Sequence, residues 1–88
     1  MKIEIKGSFL RDVKKIKDSL IKKEIKLFLE EVQNIQNIDQ IKNIKKLSGY
    51  KGFYRVRIKD YRVGLYFEDD TLYLVRALHR KEVYRFFP

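Results

Sequence analysis

The hydrophobic pattern of this 88-residue chain changes its period near Phe53, and that change constrains the fold more than any other feature. Before it, apolar residues recur every three or four positions, as on the buried stripe of an amphipathic helix. After it, they alternate with polar residues, as in half-buried strands. The sequence therefore predicts an α+β fold: a small antiparallel sheet of about four strands, with an N-terminal helical hairpin packed on one face.

The first half is predicted to hold one short strand and two helices. Residues 2–6 alternate as a strand does, and Ser8 is expected to cap the first helix. Ser19 is expected to cap the second helix. Asn34–Gln40 has no clear period and is predicted to be a loop. Residues 41–47 fit either a last helical turn or an irregular approach to the sheet.

Three strands are predicted in the second half, at Phe53–Ile58, Tyr61–Glu68 and Leu72–Leu78. The polar pairs 59–60 and 69–70 suit two-residue hairpin turns. Such turns fix the register and divide the side chains between two faces. One face is apolar and can be covered by the helices. The other carries the following residues: Arg55, Arg57, Arg62, Tyr66, Tyr73 and, near the end of the last strand, His79.

This polar face places like charges together. The register sets Arg57 directly opposite Arg62, which costs a few tenths to about 1 kcal/mol. A shared anion would relieve that repulsion; alternatively, the cations fan apart into water. Gly64 lies beside them, and its missing side chain would let a ligand or another segment of backbone approach closely. The face is therefore a candidate anion-binding surface.

Composition narrows the possible chemistry. Cysteine is absent, there is one histidine, and the formal net charge is +9. These facts argue against disulfides and metal sites and favour an anionic partner. No apolar run is long enough to span a membrane. We expect one domain, residues 1–88, in a soluble cytoplasmic protein without metal or cofactor.

A basic face with tyrosines can bind a phosphodiester and stabilise the extra charge of a phosphorane. RNA supplies its own nucleophile, the 2′-OH, so an enzyme needs only to orient it, accept its proton and stabilise the leaving oxygen. The product would be a 2′,3′-cyclic phosphate. Tyr66 and Tyr73 could stack on splayed bases.

Several segments together resemble the RelE/ParE superfamily of type II toxin–antitoxin toxins. They are residues 9–15, 47–49, 54–57, 60–63 and 79–84, which read FLRDVKK, LSG, YRVR, DYRV and HRKEVY. The resemblance covers nearly the whole chain and implies a RelE-like fold. RelE-type members cleave mRNA in the ribosomal A site and are neutralised by a cognate antitoxin, so the resemblance implies those partners here.

The resemblance also implies site residues. Arg55 and Arg57 fall where RelE-like enzymes have basic residues, often lysine. Arg62 and Arg80 fall on family arginines, and Tyr84 falls on the C-terminal tyrosine that stacks on or orients the target nucleotide. Arginine is a poor general base. The base is therefore left open between Tyr84, with a pKa lowered by the arginines, and His79.

Three functions compete on this fold. The first is a ribosome-dependent mRNA endonuclease, an mRNA interferase. The second is a ParE-like inhibitor of DNA gyrase; the arginines and Tyr84 together argue against it, because ParE members generally lack the full catalytic set. The third is an RNA-binding module without catalysis, whose affinity would fall with salt.

Overall fold

The computed structural model describes residues 1–88, which form a five-stranded sheet with the two longer helices on one face. The elements are β1 (Lys2–Ile5), α1 (Gly7–Lys15), α2 (Ser19–Val32), a single 3₁₀ turn (Ile38–Gln40), β2 (Ile44–Lys46), β3 (Phe53–Ile58), β4 (Tyr61–Glu68), β5 (Thr71–His79) and α3 (Val83–Phe86). The sheet order is β1-β5-β4-β3-β2. The predicted α+β class is confirmed.

The sheet differs from the prediction in two ways. It has five strands, because residues 44–46 pair with β3 as an extra edge strand. It is also mixed, because β1 runs parallel to β5, whereas every other pair is antiparallel. A parallel neighbour needs a crossover connection, and the two helices between β1 and the hairpins provide it.

The helices and one face of the sheet enclose the main core. α1 lies against β5 and α2 lies against β3. The core residues are Phe9, Ile16, Ile21, Ile25, Phe28, Val32, Ile41, Val56, Ile58, Val63, Leu65, Leu72, Leu74 and Ala77. No helix has the combination of length and apolar composition that crossing a bilayer requires.

Both predicted helix caps are wrong. Asp18 caps α2 instead of Ser19, and its carboxylate accepts hydrogen bonds from the backbone N–H groups of Leu20 (2.9 Å) and Ile21 (3.4 Å). α1 begins after Lys6 with no side-chain cap. Ser8 lies inside α1, and its hydroxyl donates to the carbonyl of Val75 in β5 at 2.6 Å.

The hairpin register is confirmed except at one point. Both two-residue turns form, and Arg57 pairs with Arg62 as predicted. In β5, however, Gly64 pairs with Arg76 and Leu65 with Leu74, so Val75 is an extra residue, a β-bulge. The predicted pairing of Gly64 with Val75 is therefore wrong. Because side chains alternate along a strand, every residue of β5 beyond the bulge changes face relative to the prediction.

An ion pair with α1 holds the bulged end of β5, where β1 has already ended. Asp12 is buried and accepts from the Arg76 guanidinium at 2.7 and 3.1 Å. It also accepts from the backbone N–H of Ala77 at 3.0 Å. Together with the Ser8 hydroxyl, Asp12 satisfies polar groups of β5 that no neighbouring strand reaches.

Candidate active site

The face of the sheet opposite α1 and α2 carries an open pocket of about 430 Å³. We call it the arginine pocket. Its wall is made of Asn43, Ile44, Lys45, Arg55, Arg57, Arg62 and Tyr84. β3 and β4 supply the arginines, β2 supplies Lys45, and α3 supplies Tyr84. The sheet register alone places Lys45, Arg55 and Gly64 in one row across three strands.

The arginines of this pocket have no acidic partner. The three ion pairs of the structure join the N-terminus to Asp70, Arg76 to Asp12, and Arg80 to Asp60. Arg62 instead donates to two backbone carbonyls, those of Lys59 and Tyr61, both at 2.9 Å. These bonds fix the guanidinium beside the β3–β4 turn and leave its charge uncompensated. The pocket is therefore suited to an anion with several acceptor oxygens.

Tyr84 lies on top of this positive charge. Its side chain is largely exposed, and the guanidinium carbon of Arg55 lies 4.7 Å from its ring centroid. Arg55, through hydrogen bonding and charge, lowers the pKa of the Tyr84 hydroxyl below its ordinary value, and Lys45 and Arg62 contribute in the same direction. The phenolate is thus easier to form here than on an isolated tyrosine.

α3 is attached to the sheet by a second, smaller apolar cluster. Leu78, Val83 and Phe87 are its buried members, on the same face as the arginine pocket. The ring of Phe87 lies directly over Gly64, and the edge of that ring faces Phe53 at 5.6 Å. The space beside Gly64 that the sequence assigned to a ligand or a backbone segment is occupied by Phe87.

Arg80 lies outside the wall of the arginine pocket. It follows β5, and its backbone N–H donates to the carbonyl of Asp60 at 2.7 Å, which places it at the end of the sheet near the β3–β4 turn. Its exposed guanidinium lies 3.8 Å from the Asp60 carboxylate. Three of the four predicted arginines, Arg55, Arg57 and Arg62, line the pocket, and Arg80 lies outside it.

His79 lies on the opposite face from the one predicted, and the bulge at Val75 is the reason. It pairs with Tyr61 on the helix-covered side, where the two rings meet edge to face at 5.4 Å. Its Nδ1 accepts from the backbone N–H of Lys81 at 3.2 Å. His79 is therefore separated from the arginine pocket by the sheet.

Tyr66 and Tyr73 are on the same face as the arginines but form a patch of their own. With Lys6, Phe53 and Val75 they line a shallow hollow of about 320 Å³. The Tyr66 ring lies 4.7 Å from Phe53 and 6.0 Å from Tyr73. The Tyr66 hydroxyl donates to Glu68 at 2.9 Å, and that hydrogen bond raises the pKa of Tyr66. We call this group the aromatic patch.

Lys45 lines the pocket but was not predicted from the sequence. A three-residue strand is too short to show alternation, so β2 could not be recognised from its pattern. The only available signal was the basic pair at 45–46 preceding the Leu-Ser-Gly segment. Once β2 pairs with β3, Lys45 lies opposite Arg55 and points into the pocket.

Comparison with known proteins shows which family the chain is similar to. Residues 3–84 match the family model described as the ParE toxin of the type II toxin–antitoxin system parDE. The chain is 40% identical, over 100% of both sequences, to Toxin RelE3 of Methanocaldococcus jannaschii.

Solved structures share the fold. The RelB–RelE antitoxin–toxin complex from Methanococcus jannaschii contains a chain that is 38% identical, with a TM-score of 0.84 and coverage of 97% of this chain and 99% of that one. The YoeB dimer from Staphylococcus aureus matches with a TM-score of 0.69 at 19% identity, over 90% of this chain and 95% of that one, which shows the fold alone. This chain belongs to the RelE/ParE superfamily, the toxins of type II toxin–antitoxin systems.

Proposed function

We propose that this toxin is an endoribonuclease that cleaves mRNA on the ribosome. One observation carries the proposal: three arginines without carboxylate partners and a tyrosine of lowered pKa line the same open pocket. A phosphodiester fits this pocket because guanidinium groups bind phosphate through paired hydrogen bonds. RNA suits it better than DNA because the chemistry uses a 2′-OH.

Each pocket residue has its own role in the in-line attack of the 2′-oxygen on phosphorus. The Tyr84 phenolate accepts the proton of the 2′-OH, and the 2′-oxygen attacks the adjacent phosphorus. Arg57 and Arg62 stabilise the additional negative charge that develops on the phosphorane. The bond from phosphorus to the 5′-oxygen breaks, and that oxygen takes a proton from water. The products are a 2′,3′-cyclic phosphate and a 5′-OH end.

Arg55 and Arg80 have supporting roles in this proposal. Arg55 holds Tyr84 and favours its phenolate. Arg80, at the end of the sheet, offsets charge on the leaving oxygen once the substrate spans the turn. We do not assign the base to His79, because it lies on the helix-covered face. Of the two candidates, Tyr84 is therefore the proposed general base.

The aromatic patch is proposed to contact bases next to the cleaved linkage. It lies on the same face as the arginine pocket, and the half-buried rings of Tyr66 and Tyr73 offer stacking worth about 1–3 kcal/mol per base. Its loss would weaken substrate binding and leave the chemical step unchanged.

An antitoxin partner is also proposed. The RelE chains of the Methanococcus jannaschii and Escherichia coli structures are seen in complexes with RelB. In this chain the uncompensated charge of the arginine pocket favours a partner segment with acidic side chains, which would cover the catalytic residues as it binds.

The experiment compares Arg62→Ala with Arg11→Ala, which removes an arginine of α1 outside the pocket. Purified variants are mixed with ribosomes carrying a defined mRNA, and cleavage is followed by primer extension and end-group analysis. We expect Arg62→Ala to reduce the cleavage rate by about 100-fold or more, as the loss of a transition-state donor does. Arg11→Ala should cleave normally, and circular dichroism should show both variants folded.

The two other functions give different outcomes in the same experiment. Gyrase-dependent DNA damage without mRNA cleavage would establish the ParE-like activity and contradict the nuclease proposal. Salt-sensitive RNA binding without new RNA ends would establish a binding module and contradict it too. Equal cleavage by Arg62→Ala and the parent would show that the arginine pocket is not the site.

A further inference from the structure

We propose that Gly64 and Phe87 form a socket that positions Tyr84 over the arginine pocket. Gly64 is buried in the middle of β4, and the ring of Phe87 rests on it. A methyl group at this position would lie 2.7–2.8 Å from three carbons of that ring, which is closer than any unstrained contact. The Phe87 ring therefore occupies the space that a side chain at residue 64 would fill.

Backbone conformation does not explain this glycine. The glycines with positive φ are Gly49 and Gly52, whereas Gly64 has the ordinary conformation of a strand. Alanine is better tolerated than glycine in such a strand, because it restricts the unfolded chain. Glycine is therefore required at residue 64 because any side chain there would occupy the space that the Phe87 ring fills.

The socket sets the height of α3 above the sheet. α3 has four residues, too few to be stable without tertiary contacts. Its attachment is the burial of Val83 and Phe87, and the backbone N–H of Phe87 donates to the carbonyl of Val83 at 2.9 Å. Tyr84 lies next to Val83 and points away from the cluster. A raised Phe87 ring would therefore carry Tyr84 away from Arg55.

A second contact reaches α3 through Phe86. The Arg76 guanidinium lies 5.8 Å from the ring centroid of Phe86, and Arg76 is itself held by Asp12. α3 is thus held at Phe86 and at Phe87, the residue that follows it. Its other exposed aromatic residue is Tyr84, which lies over the arginine pocket. The catalytic consequence of the socket rests on the nuclease function proposed above; the positioning of Tyr84 does not.

The test uses Gly64→Ala, Phe87→Ala and the double variant, with the pKa of Tyr84 measured by NMR of ring-labelled tyrosine in the absence of RNA. Tyr84→Phe assigns the resonance. Gly64→Ala should raise the pKa of Tyr84 towards the ordinary tyrosine value, because it lifts the hydroxyl from Arg55. In the Phe87→Ala background, Gly64→Ala should not change the pKa of Tyr84 further, because the ring that the added methyl group would displace is already absent. Gly7→Ala is the matched control: its added methyl meets only the flexible end of Arg11, at 3.3 Å.

Folding is followed in every variant by thermal unfolding, and Phe87→Leu replaces Phe87→Ala if the latter does not fold. An unchanged Tyr84 resonance and pKa in folded Gly64→Ala would overturn the proposal, as would equal shifts from this substitution with and without the Phe87 ring. In the cleavage assay, kcat of Gly64→Ala should fall by about 100-fold, the effect of misplacing a reacting group by about 1 Å, with KM little changed. If the parent protein cleaves nothing but the pKa shift is seen, the nuclease proposal fails and the socket stands.

Discussion

At the scale of single residues, the pocket combines permanent charge with one titratable group. Because a guanidinium group is not deprotonated in proteins, Arg55, Arg57 and Arg62 can stabilise charge but cannot accept a proton. Tyr84 is the titratable member of the pocket whose pKa is shifted, and the shift is downward. The pH dependence of cleavage should therefore report on Tyr84.

We predict that the cleavage rate rises with pH through the lowered pKa of Tyr84 and then levels off. Its active form is the phenolate, which exists above that pKa. Replacing Arg55 with methionine should move the rising limb to higher pH, because the largest cause of the lowered pKa is removed. Lys45→Met should move it in the same direction by less. The measurement is single-turnover cleavage across a pH series, and a limb in the same place in Arg55→Met would exclude Tyr84 as the base.

Gly64 and His79 show what could and could not be predicted at this scale. The sequence placed Gly64 beside Arg55 correctly, because the β3–β4 turn fixes that register. It could not identify the occupant of the space, since Phe87 lies far along the chain. His79 was assigned to the wrong face because one extra residue in β5 reverses the alternation after it.

At the scale of elements, that bulge could not be predicted from β5 itself. Val75 continues an apolar run, and the pattern fits a regular strand equally well. The contacts that hold the bulge come from α1, where Ser8 and Asp12 bond to β5 across 67 and 65 residues of sequence. Long-range partners of this kind leave no periodic trace in either segment.

The start of α2 provides a prediction for an element. Asp18→Ala should lower the free energy of unfolding by about 1 kcal/mol, since two N–H groups of the first turn lose their acceptor. Ser19→Ala, one residue later and inside the helix, should change it by no more than about 0.5 kcal/mol. Urea denaturation of both variants measures the difference. If Ser19→Ala were the more costly change, the cap would be Ser19, as the sequence alone suggested.

At the scale of the whole molecule, most of the net positive charge lies outside the arginine pocket. The net charge of +9 comes largely from lysines in the first half of the chain, many of them on the exposed faces of α1 and α2. The arginine pocket lies on the opposite face of the sheet. The sequence predicted the arginine side of this arrangement, because the hairpin register places Arg55, Arg57 and Arg62 on one face of the sheet.

This division can be tested by the salt dependence of RNA binding. Each phosphate contact that is lost should reduce the slope of log affinity against log salt by about 0.7 for a single strand. Arg57→Ala should therefore flatten the slope by about that amount, because Arg57 has no acidic partner and lines the pocket. Arg11→Ala removes the same charge from α1 and should leave the slope unchanged. Binding to a strand with a 2′-deoxy linkage at the cleavage position, measured by fluorescence anisotropy, keeps the substrate intact. Equal slopes for the two variants would mean that the overall charge, and not the pocket, binds the RNA, and the site would then have to be sought on the lysine-rich helices.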